Sequence, residues 1–206
     1  MNQQKYAWEP YLSKGVKKLY KPKATLFRQG DVGTGFYYLA DGEVKIMLVS
    51  KKGDERTIDI IYPGELVGEA GIKKEPFFSS AFVTKPSTLF YFSNEAFHSL
   101  CQEHSQAIDI FLSSLIKKQR LLAEIVSQEN RSCEQKLAFF LLRLYQKNAN
   151  PKIVINQITL SNYIGKSRIT VYKILRQWEQ ADIVTVSNRT IVINDIERLH
   201  SFLRES

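Results

Sequence analysis

Between residues 156 and 181 the chain reads NQITLSNYIGKSRITVYKILRQWEQA, and its hydrogen-bond donors fall at spacings that suit contact with a duplex. Val171, Ile174, Leu175 and Trp178 lie at i, i+3, i+4 and i+7, a stripe that a helix must bury. The other face is left to Arg168, Ile169, Tyr172, Lys173 and Arg176, with Ser167 and Thr170 at its start. An arginine presents a planar fork to guanine O6 and N7, an isoleucine presents methyls to a thymine methyl, and lysines and hydroxyls donate to phosphate. Ser167 suits the N-cap of this helix; Asn156 suits that of a shorter one before it, with Leu160 and Ile164 along one edge. Gly165 gives the permissive backbone for the corner between them. This is the layout of a helix pair whose second member can enter a major groove. The same spacing also fits a plain helical hairpin with a solvated basic face, and charge separates the two readings.

From residue 135 to residue 178 the sequence has no Asp or Glu, yet contains Lys136, Arg143, Lys147, Lys152, Lys166, Arg168, Lys173 and Arg176. A solvated surface mixes signs, so a one-signed stretch of this length points to a polyanion. Residues 1–100 carry 14 basic and 11 acidic groups, residues 101–130 carry 3 and 4, and residues 131–206 carry 12 and 6. Most of the net charge of +8 therefore sits in the last third.

Other chemistry lacks its residues. Cys101 and Cys133 have neither disulfide nor metal-ligand spacing, and an iron–sulfur cluster needs several grouped cysteines. His98, His104 and His200 are scattered, and the absence of any earlier His argues against a metal-binding β barrel of the cupin kind. The sequence predicts no catalytic residue, no metal and no cofactor. The beginning, MNQQKYAWEP, has no signal-peptide run, and no segment approaches the roughly 18 apolar residues of a membrane span. A reducing cytoplasm is the expected home.

The elements that must carry the helix pair follow from the hydropathy pattern. Residues 2–20 predict a short helical lead-in with Trp8, Leu12, Val16 and Leu19 on one side. From residue 25 to residue 92 short runs (TLF, FYYLA, EVKIMLV, RTIDIIY, SSAFVT, TLFYF) are punctuated by Gly and Pro, which predicts a β barrel or jelly roll, with a hairpin at Lys52-Gly53-Asp54. Residues 106–129 predict one long helix. Ile108, Phe111, Leu115, Leu122 and Ile125 form a coiled-coil-like seam interrupted by Lys118, and Leu112, Ile116, Ala123 and Val126 form a second edge against the β domain. Such a helix joins two chains while covering the barrel; a wholly intramolecular core helix is the other reading. Ser132 and Gln135 form a capping box that restarts the chain as a helix with Leu137, Phe140, Leu141 and Leu144 inward, leaving a joint near Asn130. IVTV and TIVI flank SNR as a hairpin wing, and Asp195 opens a terminal helix. The expected class is α+β in three parts: 1–100 a β domain, 101–130 a dimerisation helix and hinge, 131–206 a helix-turn-helix with a hairpin wing.

This order resembles the CRP/FNR family of bacterial transcription regulators over nearly the whole chain. Gly30-Asp31, the run Phe36-Tyr37-Tyr38-Leu39 into Gly42, Gly64-Glu65 and Gly68-Glu69 resemble the cyclic-nucleotide-binding fold, and GKSRITVYKIL resembles the family's recognition helix. The resemblance implies a homodimer reading an inverted repeat in double-stranded DNA through residues 168–179, with RNA polymerase as a further partner. It also implies an effector pocket between the β domain and the long helix, at Gly68, Glu69, Phe77, Phe78, Ser79, Ser80, Leu121 and Leu122. In the cAMP-binding pattern an Arg-Ser pair follows the Gly-Glu by about a dozen residues and neutralises the cyclic phosphate. Here Ser79 stands where that Arg is expected, and Leu121-Leu122 replaces the polar pair that faces the base. A buried phosphate without its cation would cost several kcal/mol. The expectation is therefore independence from cAMP, with Glu69 a structural turn residue and the pocket either filled by its own side chains or open to a small apolar effector. A ligand-binding module acting on a protein partner is the alternative function.

Overall fold

The computed structural model describes residues 8–148 and 150–204, which divide into two compact units at Ile125/Val126. In the first unit the strands are β1 (Val16–Tyr20), β2 (Thr25–Phe27), β3 (Gly35–Val49), β4 (Glu55–Ile61), β5 (Leu66–Val67) and β6 (Ser80–Ser93), followed by the helices α1 (Asn94–Glu103) and α2 (Gln106–Ser127). The six strands form one antiparallel network in the order β1-β6-β3-β4, with β2 also on β6 and β5 also on β3. Runs that read as separate strands in the sequence are fused: FYYLA and EVKIMLV are both β3, and SSAFVT from Ser80 onward and TLFYF are both β6. Their register slips near Asp41 to Val44, where the sheet can bend without ending the strand. The Lys52-Gly53-Asp54 hairpin is present, with Ser50 Oγ accepting from the amides of Lys52 and Asp54.

The helical lead-in is corrected. Residues 1–7 lie outside the described ones, Glu9–Lys14 is a 3-10 turn, and Val16–Tyr20 is strand paired with β6. Gly15 ends the helical turn in extended backbone, and the ladder of β6 then outweighs the helical spacing of Val16 and Leu19, which are 61% and 77% exposed. Trp8 alone of the four is fully buried, set edge-on against Tyr11, Phe36 and Phe92.

The long helix α2 also differs from its expected facing. Ala107, Phe111, Ser114, Leu121 and Ile125 are its buried positions, so Phe111 and Ile125 belong to the β core rather than to the seam. Leu112, Ile116, Ala123 and Val126, expected against the β domain, are exposed. The cause is helical phase: the steps from 107 through 111, 114, 118 and 121 to 125 alternate four and three, and this face meets the sheet. What remains outside is a second series of the same period, Ile108, Leu112, Leu115, Gln119, Leu122 and Val126.

The second unit comprises α3 (Cys133–Asn148), β7 (Lys152–Val154), α4 (Gln157–Ile164), α5 (Arg168–Gln180), β8 (Val184–Ser187), β9 (Thr190–Ile193) and α6 (Ile196–Ser201). The Ser132/Gln135 capping box is reciprocal, at 3.0 and 3.1 Å. Leu137, Phe140, Leu141 and Leu144 are buried, and Phe140 stacks on Tyr163 of α4 at 3.8 Å between centroids. Strand β9 lies between β7 and β8, so the wing is a three-stranded sheet whose third strand the sequence reading missed.

Candidate nucleic-acid interface and effector pocket

Helices α4 and α5 are set by their caps. Asn156 Oδ1 accepts from Thr159 N at 2.8 Å, Ser167 Oγ accepts from Thr170 N at 3.2 Å, and Gly165 turns the corner in left-handed backbone at φ 73°. Val171, Ile174, Leu175 and Trp178 are all buried, each burial contributing about 1.5–3 kcal/mol to holding α5 in place. Ser167, Arg168, Ile169, Tyr172, Lys173 and Arg176 are exposed, while Thr170 is half-buried with its hydroxyl 3.1 Å from that of Ser167. Ile169 at 68% and Tyr172 at 50% are large apolar groups held in water at the head of a basic helix, a costly arrangement for a surface that meets only solvent. Arg176 is 3.8 Å from Glu179, a loose pair that leaves its guanidinium available.

In the first unit, a cavity of about 270 Å³ lies between the sheet and α2. Of the expected lining residues it holds Gly68, Glu69, Phe77, Phe78, Ser79, Leu121 and Leu122. Ser80 is not among them: it is buried as the first residue of β6, and its hydroxyl accepts from Gln29 N at 2.9 Å. The sequence reading missed Phe27, Ile46, Ile58, Asp59, Ile61, Val67, Ala70, Leu115, Lys118 and Gln119, which distant strands and the α2 phase bring in. Phe27 and Phe77 stack at 3.9 Å across one wall. Gly68 is left-handed at φ 82°, and a Cβ there would sit 2.9 Å from the Phe27 ring, so the turn that aims Glu69 inward requires glycine.

Glu69 is 5% exposed, and its carboxylate is fully engaged. Ser114 Oγ donates to Oε1 at 2.6 Å, and Lys118 Nζ meets both oxygens at 2.5 Å while also donating to Leu66 O at 2.7 Å. Lys118, an interruption in the apolar seam when read from sequence, is the only cation lining the cavity among the described residues, and its donors are spent on Glu69 and on Leu66 O. Glu69 is thus more than a turn residue: it fastens the sheet to the long helix. The side chains line the cavity without filling it.

A β unit of this topology with a cavity against its long helix, and a winged helix-turn-helix with a basic exposed face, define a DNA-binding transcription regulator. The chain belongs to the CRP/FNR family: residues 17–104 match the cyclic nucleotide-binding domain and residues 135–202 the Crp-like helix-turn-helix domain. It is 27% identical over 190 residues to the cyclic AMP receptor protein of Thermus thermophilus, covering 89% of this chain and 86% of that one. To the cAMP-activated global transcriptional regulator CRP of Salmonella typhimurium it is 25% identical over 183 residues, 84% and 87% of the two chains. The structure of FixK2 from Bradyrhizobium japonicum superposes with a TM-score of 0.81 at 16% identity, over 91% of this chain and 96% of that one. Among the described residues no helix is long and apolar enough to cross a membrane.

Proposed function

We propose that the protein is a cytoplasmic homodimer that binds an inverted-repeat DNA site without cAMP and acts on RNA polymerase there. Residues 1–100 would serve reception, 101–130 dimerisation and hinge, and 131–206 DNA reading. Ser167, Arg168, Ile169, Thr170, Tyr172, Lys173 and Arg176 are the proposed contacts, with Arg168 on a guanine and Ile169 against a thymine methyl. The exposed series Ile108, Leu112, Leu115, Gln119, Leu122 on α2 has heptad spacing and supports a dimer seam with one polar position.

The observation that carries independence from cAMP is the Lys118–Glu69–Ser114 contact. A cyclic nucleotide needs a cation for its phosphate and a free acceptor for its ribose hydroxyl. Here Ser79 offers no charge, Lys118, the one lining cation among the described residues, is neutralised, and the Glu69 carboxylate accepts from the protein's own groups. Two measurements test the reading together. Fluorescence anisotropy on a site selected from random DNA should give the same affinity with and without cAMP, and calorimetry should detect no cAMP site tighter than millimolar. A micromolar site, or DNA binding that appears only with the nucleotide, would overturn it. The open cavity supports one second reading, a neutral apolar effector small enough for about 270 Å³.

A further inference from the structure

The wing carries an arginine where local backbone chemistry asks for a different residue. Strands β8 and β9 pair from Val184↔Ile193 to Ser187↔Thr190, leaving Asn188 and Arg189 as a two-residue loop. Both are left-handed, at φ 43° and 63°. A loop of this kind favours Asn followed by Gly, because a Cβ in left-handed backbone meets the following carbonyl. Asn188 obeys that preference and Arg189 does not. Nothing within the unit compensates: among the described residues the Arg189 guanidinium has no hydrogen-bond or ion-pair partner, and the residue is exposed. The backbone is nevertheless held firmly, since Ile155 N donates to Arg189 O at 2.8 Å and Val154 pairs with Thr190, which ties the wing tip to the strand entering α4.

The position of this arginine matters as much as its strain. Arg189 and Arg168, the first residue of α5, line the same concavity of about 240 Å³ together with Asn156 and Gln157. The wing tip and the reading end of α5 therefore open on one surface. With α5 in a major groove about 12 Å wide, a hairpin beside it meets the neighbouring minor groove, about 6 Å wide, which admits one long side chain but not a strand. We propose that Arg189 is a second reader of DNA that inserts into the minor groove flanking the α5 contact and extends each half-site by an A·T preference. A narrow A·T minor groove concentrates negative potential, and a guanidinium, less strongly hydrated than an ammonium, enters it at lower desolvation cost. The guanine 2-amino group would obstruct the same insertion. The inference rests on α5 being the major-groove helix.

The test uses the full-length protein and duplexes built on the half-site it selects from random DNA, with flanking pairs A·T, G·C or I·C. Inosine lacks the 2-amino group, so I·C presents the minor-groove edge of A·T while keeping a G·C-like major-groove face. Wild type should bind A·T and I·C flanks alike and G·C flanks about tenfold more weakly, the size of one good base contact. Arg189→Gly suits the left-handed position and keeps the hairpin, which an unchanged melting curve would verify. It should bind all three duplexes at the weaker level while selecting the same core. Arg189→Lys should keep the salt dependence and lose the discrimination. Wild type indifferent to the flank, or an Arg189→Gly variant that still discriminates, overturns the proposal. Failure of wild type to select any core sequence would instead strike the α5 reading.

Discussion

Replacing Lys118 by Met leaves the length of the side chain and removes its charge, so it isolates the ion pair that joins α2 to the sheet. Glu69 would then keep only Ser114 as a partner at a site where it is 5% exposed. Breaking a buried pair from one side costs about 3–5 kcal/mol. The Lys118 side chain is 29% exposed, which screens part of the attraction, so we expect a loss of about 2–4 kcal/mol. Glu69→Gln should cost less, about 1–2 kcal/mol, because Lys118 can turn towards solvent. With both substitutions no charge is stranded, and stability should return to within about 1–2 kcal/mol of wild type. Urea unfolding followed by Trp8 fluorescence in a Trp178→Phe background reads the first unit alone, since Trp8 lies in its core and these are the two tryptophans of the chain. A coupling energy below about 0.5 kcal/mol in this cycle would refute the view that Lys118 and Glu69 fasten the helix.

Three further outcomes test the other surfaces. Ile108→Lys with Leu112→Lys places charge on the exposed face of α2 while sparing the cavity lining, and should convert the dimer to monomer in sedimentation velocity; a dimer that persists and still binds its site would move the interface elsewhere. Ile169→Glu should shift the preferred pair at its position from thymine-containing to C·G by about 1–3 kcal/mol, and Arg168→Ala should relax specificity only at its own guanine, both read by selection from random DNA.

The sequence carried the DNA-reading half almost completely, because its signals are local. Asn156, Gly165 and Ser167 act within four residues of themselves, and the stripe from Val171 to Trp178 has one possible interior. The β half was legible in kind but not in extent. Pro86 and Gly42 punctuate runs that long-range pairing of β3 with β6 nevertheless joins, since an antiparallel ladder tolerates a bulge where a sequence reading sees a break. Strand β7 was hidden for the related reason that three residues, Lys152–Val154, have no periodicity of their own and are made a strand by β9.

The facing of α2 shows why a helix with two apolar series resists reading from sequence. Two sets repeat along it with the same alternation of four and three, one through Phe111 and one through Leu112, and apolar content alone favours neither as the core. Lys118 decides the matter, in the opposite sense from its apparent one. Treated as a solvent-seeking charge it argues that its own face is outside and breaks the seam containing Phe111. Paired with Glu69, which Gly68 turns inward, the same lysine fixes that face against the sheet. A charged residue within an apolar stripe is thus informative only with its partner, and here the partner lies 49 positions earlier on another element. The consequence reaches the proposed function: once Phe111, Lys118 and Ile125 are committed inward, Leu112 and Leu122 are left exposed, on the face that the proposed dimer seam would cover.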